Sequence, residues 1–189
     1  GVTAGDTVVI VGCGGLGHAA IQGAKVAGAM NVIAVDPSEF KRESAQEFGA
    51  THAAASMDEA MALVGGITEG VMADSVILTP GVLTGDMIAP AQFLTRKGGT
   101  IVATAVANAM AMDVQLNLFE FAMMNKELKG CLFGSAAPRK EIPHLLSMYQ
   151  AGQLKLDEMI TNTYTLDQIN EGYDDMMSNK NVRGVIMFD

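Results

Sequence analysis

Residues Thr7 to Val11 form an uninterrupted apolar and β-branched run that ends on a glycine. A run of this length without polar alternation predicts a short strand buried on both faces. Gly15 to Ala27 reads as a helix, and Asn31 to Val35 as a second buried strand. Asp36-Pro37-Ser38 turns the chain, and Ser38 is placed to cap a helix running to about Phe48. "GATHAA" predicts a third strand and Met57 to Val64 a third helix. The alternation continues with a strand over Ala73 to Thr79, a helix over Thr84 to Leu94 and a buried strand over Gly99 to Val106. A helix over Asp113 to Met124 and a strand over Glu127 to Phe133 follow. Strands and helices taking turns at this pace imply βαβ units, hence an α/β fold with a parallel sheet and helices on both faces.

From Pro138 the texture changes. "APRKEIPHLLSMYQAGQL" predicts a helix and "LDEMITNTY" a strand. "TLDQINEGYDDMMSN" predicts a helix capped by Thr165, and "GVIMFD" a last strand. There is no internal repeat. Of the fourteen methionines, Met57, Met61, Met123, Met124, Met176 and Met177 are among those that fall in predicted helices, where adaptable core filling is the expected role.

Composition narrows the function classes. With 189 residues, 49% hydrophobic and 17% charged, the chain can bury one sizeable core. A net charge of -9 and the lack of any basic cluster larger than a Lys/Arg pair exclude an electrostatic hold on nucleic acid. Cys13 and Cys131 are too far apart in sequence for a CxxC pair, so neither a disulfide framework nor a structural zinc site is expected. A reducing, cytoplasmic setting fits. No apolar run reaches about 18 residues, so no membrane span is expected. The opening "GVTAGDT" has neither the charged start nor the apolar run of a signal peptide. The missing initial methionine fits a piece of something longer.

The candidate chemistry begins between the first strand and the first helix. Gly12, Gly14 and Gly17 form GxGxxG there. The first glycine allows a tight turn, the second a close approach of backbone to a pyrophosphate, and the third close packing of helix on sheet. The free N–H groups at Gly14, Gly15 and Leu16 point at the anion with the helix dipole behind them. Three glycines alone can equally serve packing. Asp36, 19 positions after Gly17 at the end of the second strand, strengthens the dinucleotide reading. Its carboxylate would accept hydrogen bonds from the adenosine ribose hydroxyls, although a turn former before proline is the plainer alternative. A carboxylate there repels a 2′-phosphate and favours NAD over NADP, a preference that nearby Lys41 and Arg42 could blur.

No catalytic constellation accompanies the loop. His18, His52 and His144 have no metal-ligand spacing. His18 on the first helical turn is read as a surface or packing residue, and His144, after Pro143 near a helix start, as structural. A Tyr-x-x-x-Lys pair is absent, since Gln153, Gln168 and Met177 stand four residues after the three tyrosines.

The segments "AGDTVVIVGCGGLG", "VIAVDPSEFKRESAQEFGAT", "ELKGCLFG" and "LDEMITNTYTLDQINEGYDDMMSNKNVRGVIMFD" together resemble the second, cofactor-binding half of the zinc-type medium-chain alcohol dehydrogenases. "GCGGLGHAAIQGAKVAGA", "VDPSEFKRE", "FGATHAAAS" and "TPGV" are most similar to the actinobacterial nicotinoprotein branch, whose members hold NAD tightly and pass electrons to an external acceptor. The resemblance implies a doubly wound Rossmann sheet over residues 1–152 and a C-terminal segment, 153–189, that returns to a catalytic domain absent from this chain. It implies NAD as cofactor, zinc in the absent domain only, a small alcohol or aldehyde as substrate of the full-length enzyme, and self-association.

By the same resemblance, Gly14, Gly15 and Leu16 meet the pyrophosphate, and Asp36 and Lys41 the adenosine ribose. Thr79, Pro80 and Gly81 line the cleft after the fourth strand. Ala103, Thr104 and Ala105, with the backbone from Cys131 to Phe133, face the nicotinamide. Arg183 pairs with the pyrophosphate; on its own sequence context it could equally be an exposed charge before the last strand. Leu154, Leu156, Met159, Ile160, Ile186 and Phe188 are expected to be partly uncovered without the other domain. Two other classes share such a loop. A non-catalytic NAD-sensing domain would not need the tail ending in "NVRGVIMFD", and a methyltransferase fits less well with the third glycine and the purely apolar Val8 to Val11.

Overall fold

The computed structural model describes residues 1–188. Strands β1 (Thr7–Val11), β2 (Asn31–Val35), β3 (His52–Ala54), β4 (Ala73–Leu78), β5 (Thr95–Ala103) and β6 (Glu127–Gly130) form one parallel sheet in the order β3-β2-β1-β4-β5-β6. This is the doubly wound order, with the chain reversing direction across the sheet between β1 and β4. Helices α1 (Gly15–Val26) and α2 (Glu39–Glu47) cover one face, where Ile21, Ala24, Ala45 and Phe48 pack on Val8, Ile10, Val32 and Ala34. Helices α3 (Met57–Ile67) and α4 (Ile88–Leu94) cover the other, packing on Val9, Val11, Ile33, Val35 and Val76. Successive residues of β1 thus enter two different cores, which is why its sequence shows no polar alternation.

The later elements are α5 (Leu118–Met123), α6 (Pro138–Gln150), α7 (Ile169–Met177) and a parallel pair of strands, β7 (Ile160–Tyr164) and β8 (Arg183–Ile186), in a separate two-stranded sheet. The predicted helix from Asp113 shrinks to α5. The backbone N–H and C=O of Asn117 pair with the carboxamide of buried Gln92 (3.1 and 2.9 Å), so that N–H cannot continue a helix backwards. Asn117 instead caps α5 by accepting the Glu120 N–H. Strand β5 begins four residues earlier than predicted and ends at Ala103, where the Thr104 hydroxyl donates to the Leu78 carbonyl. Strand β6 ends at Gly130, opposite the end of its partner β5 at Ala103, and the chain then turns into the left-handed region at Phe133 (φ 47°). The predicted helix from Thr84 opens with a 3-10 turn at Gly85–Met87.

Thr165 closes a capping box with Gln168 ahead of α7. Helix α6 starts at Pro138, so Pro143 lies inside it and not near its start, because a proline at the first helical position loses no hydrogen bond. The last predicted strand covers only Arg183–Ile186, and its expected end at Asp189 lies outside the described residues. Met57 and Met61 pack against the core as expected, but Met123, Met124, Met176 and Met177 are exposed, since α5 and α7 bury no residue. Met159 is buried under α1 and not uncovered. Leu156, Ile160 and Phe188 are exposed, and Leu154 and Ile186 half-buried.

Candidate functional site

The register of the sheet draws the predicted residues into one line. Val35 pairs with Val11, Val11 with Leu78, Leu78 with Ala103 and Ala103 with Gly130. The next residue on each strand is therefore Asp36, Gly12, Thr79, Thr104 and Cys131, in that order along the carboxyl edge. At about 4.8 Å per strand the row is roughly 19 Å long, a span suited to an extended dinucleotide. The crevice opens between Gly12 and Thr79, where the sheet reverses its winding.

The glycine turn is tightly built. Gly12 has φ +95°, and a Cβ there would lie 2.6 Å from the Thr79 carbonyl oxygen. A Cβ on Gly17 would overlap the Gly12 carbonyl oxygen. The buried Thr79 hydroxyl lies 2.6 Å from that same oxygen and 3.1 Å from the Val11 carbonyl, pinning β4 to the turn. Gly14 is different. Its φ is ordinary (-78°), and a Cβ would meet no atom of the chain within 4 Å. The protein itself has no packing reason for glycine at position 14, and the space is open for a ligand.

Arg183 reaches this loop from β8, 168 positions after Gly15 in sequence. A Cβ on Gly15 would come 2.6 Å from the Arg183 Nε, so the guanidinium lies against the start of α1. Lys41 also joins the two parts of the chain, its Nζ donating to the Asn179 side chain at 2.6 Å. Asp36 is buried, and its two carboxylate oxygens accept the backbone N–H groups of Cys13 (2.8 Å) and Ser38 (2.9 Å). Arg42 bends back to donate to the carbonyls of Asp36 and Pro37 (2.8 and 2.9 Å). Of the remaining predicted residues, Leu16, Gly81 and Phe133 are exposed at the edge, while Pro80, Ala103, Thr104 and Ala105 are half-buried.

Two features at the loop lie beyond sequence reasoning. Cys13 is fully buried, and burial, reinforced by the nearby Asp36 carboxylate, pushes its thiol up to about 12. His18 is also fully buried, with Nδ1 against the Gly14 carbonyl (3.1 Å) and Nε2 against the Ser44 hydroxyl (3.0 Å). Phe48 packs edge-on to its ring. Burial lowers its proton affinity, partly offset by the hydrogen bond to Gly14. Of the two roles considered for His18, packing holds. The Ser44 partner, 26 residues away, has no sequence signal.

Comparison with known proteins now fits the geometry. The family profile described as zinc-binding dehydrogenase matches residues 15–151. The chain belongs to the zinc-binding dehydrogenase family. Among relatives, it is 51% identical over 187 residues to an NDMA-dependent alcohol dehydrogenase of Amycolatopsis methanolica, covering 99% of this chain and 50% of that protein. It is 47% identical to alcohol dehydrogenase B of Mycobacterium tuberculosis over the same shares. The crystal structure of benzyl alcohol dehydrogenase from Acinetobacter calcoaceticus superposes with a TM-score of 0.90 at 27% identity, covering all of this chain and 51% of that one. The chain therefore spans about half the length of the zinc-binding dehydrogenases it matches.

The family implies a dinucleotide and zinc. The residues fit the former: an open space at Gly14, the free N–H groups starting α1, a guanidinium beside Gly15 and a carboxylate at the end of β2. They do not fit the latter. Among the described residues no three His, Cys, Asp or Glu side chains are grouped to hold a metal, and both ring nitrogens of His18 are already engaged.

Proposed function

We propose that this chain is the NAD-binding, C-terminal portion of a zinc-dependent alcohol dehydrogenase, with 1–152 as the dinucleotide-binding domain and 153–189 as the segment that joins the catalytic half. The observation that carries the reading is the meeting of Arg183 with Gly15 beside the open space at Gly14. A cation from β8 and the N-terminus of α1 converge on one point, as a pyrophosphate requires.

In this reading the N–H groups of Gly14, Gly15 and Leu16 and the Arg183 guanidinium hold the pyrophosphate. Gly12 and Gly17 keep the turn tight, and Asp36, with Lys41 beside it, takes the adenosine ribose. Thr79, Pro80 and Gly81 wall the crevice; Ala103, Thr104, Ala105 and Phe133 border the nicotinamide. Bound NAD supplies the hydride acceptor for an alcohol, or in reduced form the donor for an aldehyde. This chain's residues orient that group and exclude water from one side, while management of the substrate oxygen falls to the part of the relatives that this chain does not match. Steady alcohol oxidation by this chain without metal would contradict that division.

NAD is favoured over NADP because a carboxylate at the ribose edge repels a 2′-phosphate. Both nearby cations support this preference, since Arg42 is folded onto backbone carbonyls and Lys41 onto Asn179. Calorimetric titration with NADH and NADPH tests the assignment. NADH is expected to bind the tighter; tighter NADPH would overturn NAD as the cofactor.

Among the described residues no helix is long and apolar enough to cross a membrane. With free thiols at Cys13 and Cys131 we assign the protein a cytoplasmic setting. Exposed apolar residues on α5 and beyond β6 (Leu118, Phe119 and Leu132) support self-association.

A further inference from the structure

We propose that His18 is a positioning residue for the dinucleotide loop: its ring holds the Gly14–Gly15 peptide in the orientation that aims the Gly15 N–H at the anion. The proposal deepens the cofactor reading above and rests on it for its ligand.

The Gly14 carbonyl and the Gly15 N–H belong to one planar trans peptide and point to opposite sides of it. Fixing the oxygen therefore fixes the direction of the N–H. This peptide lies between two glycines, so neither flanking residue has a Cβ to limit its rotation. It also sits at the first turn of α1, where helical hydrogen bonds are least supported. Gly14, as N-cap, has no side chain to contribute a cap hydrogen bond.

His18 supplies the missing restraint twice. Its backbone N–H donates to the Gly14 oxygen at 2.9 Å, and its Nδ1 lies 3.1 Å from the same atom. A carbonyl oxygen only accepts, so Nδ1 carries the hydrogen and Nε2 accepts from the Ser44 hydroxyl at 3.0 Å. The ring is fully buried and braced edge-on by Phe48, with centroids 4.9 Å apart. Ser44 stands on α2, the helix that follows Asp36 and carries Lys41 and Arg42. The chain of bonds Gly14–His18–Ser44 thus couples the pyrophosphate turn to the ribose side of the site. With both nitrogens paired, the buried ring is held in one orientation against the Gly14 oxygen.

The test uses His18→Phe, which keeps a ring against Phe48 and removes both polar contacts. Ser44→Ala, at a half-buried position on α2, removes only the second anchor. Titrating each with ADP-ribose and with adenosine separates the loop from general binding, because adenosine has no phosphate. His18→Phe is expected to weaken ADP-ribose about tenfold, the loss of roughly one good hydrogen bond, and to leave adenosine within about twofold. Ser44→Ala should act in the same direction and less. In the ligand-free chain, the Gly15 amide resonance should shift and broaden in His18→Phe as the peptide begins to rotate.

Equal weakening of both ligands, or of neither, would overturn the proposal, as would an unmoved Gly15 resonance. If His18→Phe does not fold, Ser44→Ala decides on the same readings. A native chain that binds neither ADP-ribose nor NADH, yet whose Gly15 resonance responds to His18→Phe, would remove the cofactor reading and support the setting of the peptide.

Discussion

The Asp36 carboxylate accepts the backbone N–H of Cys13 at 2.8 Å, tying the end of β2 to the middle of the glycine turn. Its other oxygen accepts the Ser38 N–H, so the residue proposed to read the ribose also builds the frame around it. Asp36→Asn keeps the volume and removes the charge. Charged hydrogen bonds contribute more than neutral ones, so unfolding free energy is expected to fall by about 1–2 kcal/mol. Urea denaturation checks this, and an unchanged midpoint would show that the clamp contributes nothing. The same variant should narrow the gap between NADH and NADPH affinity.

Gly14 and Gly17 separate binding from folding. Gly17→Ala drives a Cβ into the Gly12 carbonyl, a backbone atom that cannot step aside, and should cost about 3 kcal/mol or more. Gly14→Ala meets open space at an ordinary φ and should change stability by about 1 kcal/mol at most. NADH binding to Gly14→Ala should nevertheless drop sharply. Thermal melts beside NADH titrations would show the contrast, which disappears if Gly14→Ala binds normally.

Cys13 should resist alkylation in the native fold. It is fully buried with its thiol pushed up to about 12, so almost no thiolate exists near neutral pH. Cys131 is half-buried at the sheet edge and reachable. Peptide mapping after iodoacetamide treatment at pH 8 should find label on Cys131 long before Cys13. Comparable labelling of both would mean that the turn opens readily.

The protonation of His18 ties stability to pH. Its folded-state value lies below the ordinary 6.5, so the unfolded chain binds the proton more readily. Stability should therefore be unaffected by this group above pH 6.5 and fall as pH drops from 6.5 toward the lower folded value. His18→Phe should flatten that part of the curve. A melting temperature equally steep in both chains between pH 6.5 and 5 would assign the acid sensitivity to other groups.

Gln22 fastens the later segment to α1. Its buried carboxamide donates to the Lys155 carbonyl (3.0 Å) and accepts the Lys155 N–H (2.7 Å), while the Lys155 ammonium donates to the Glu47 carbonyl. Gln22→Leu would remove both hydrogen bonds to the Lys155 backbone, at about 1–3 kcal/mol together. Hydrogen exchange at the Lys155 amide should accelerate more than at β1; uniform acceleration would instead indicate global loosening.

How much of this was legible in the sequence depended on the range of the interaction. β1 and β2 were readable to the residue because burial on both faces leaves nearly unbroken apolar runs, closed by Gly12 after Val11 and by Asp36-Pro37 after Val35. Gly12, Gly17 and Asp36 were readable because their spacing follows from one strand–turn–helix unit. The start of α5 was not, since it is decided by Gln92, 25 residues from Asn117. Nor was the environment of His18, whose partner sits on another helix. The exposed methionines of α5 and α7 misled for a related reason: helical periodicity shows which side chains share a face but not whether anything covers it.

Arg183 carries a consequence for the order of events during synthesis. A ribosome releases the glycine turn, Asp36 and all six strands of the large sheet well before residue 183 emerges. On the proposed reading the turn then presents its amides without the Arg183 guanidinium, so a pyrophosphate would meet both only once β8 has paired with β7, after assembly of the large sheet.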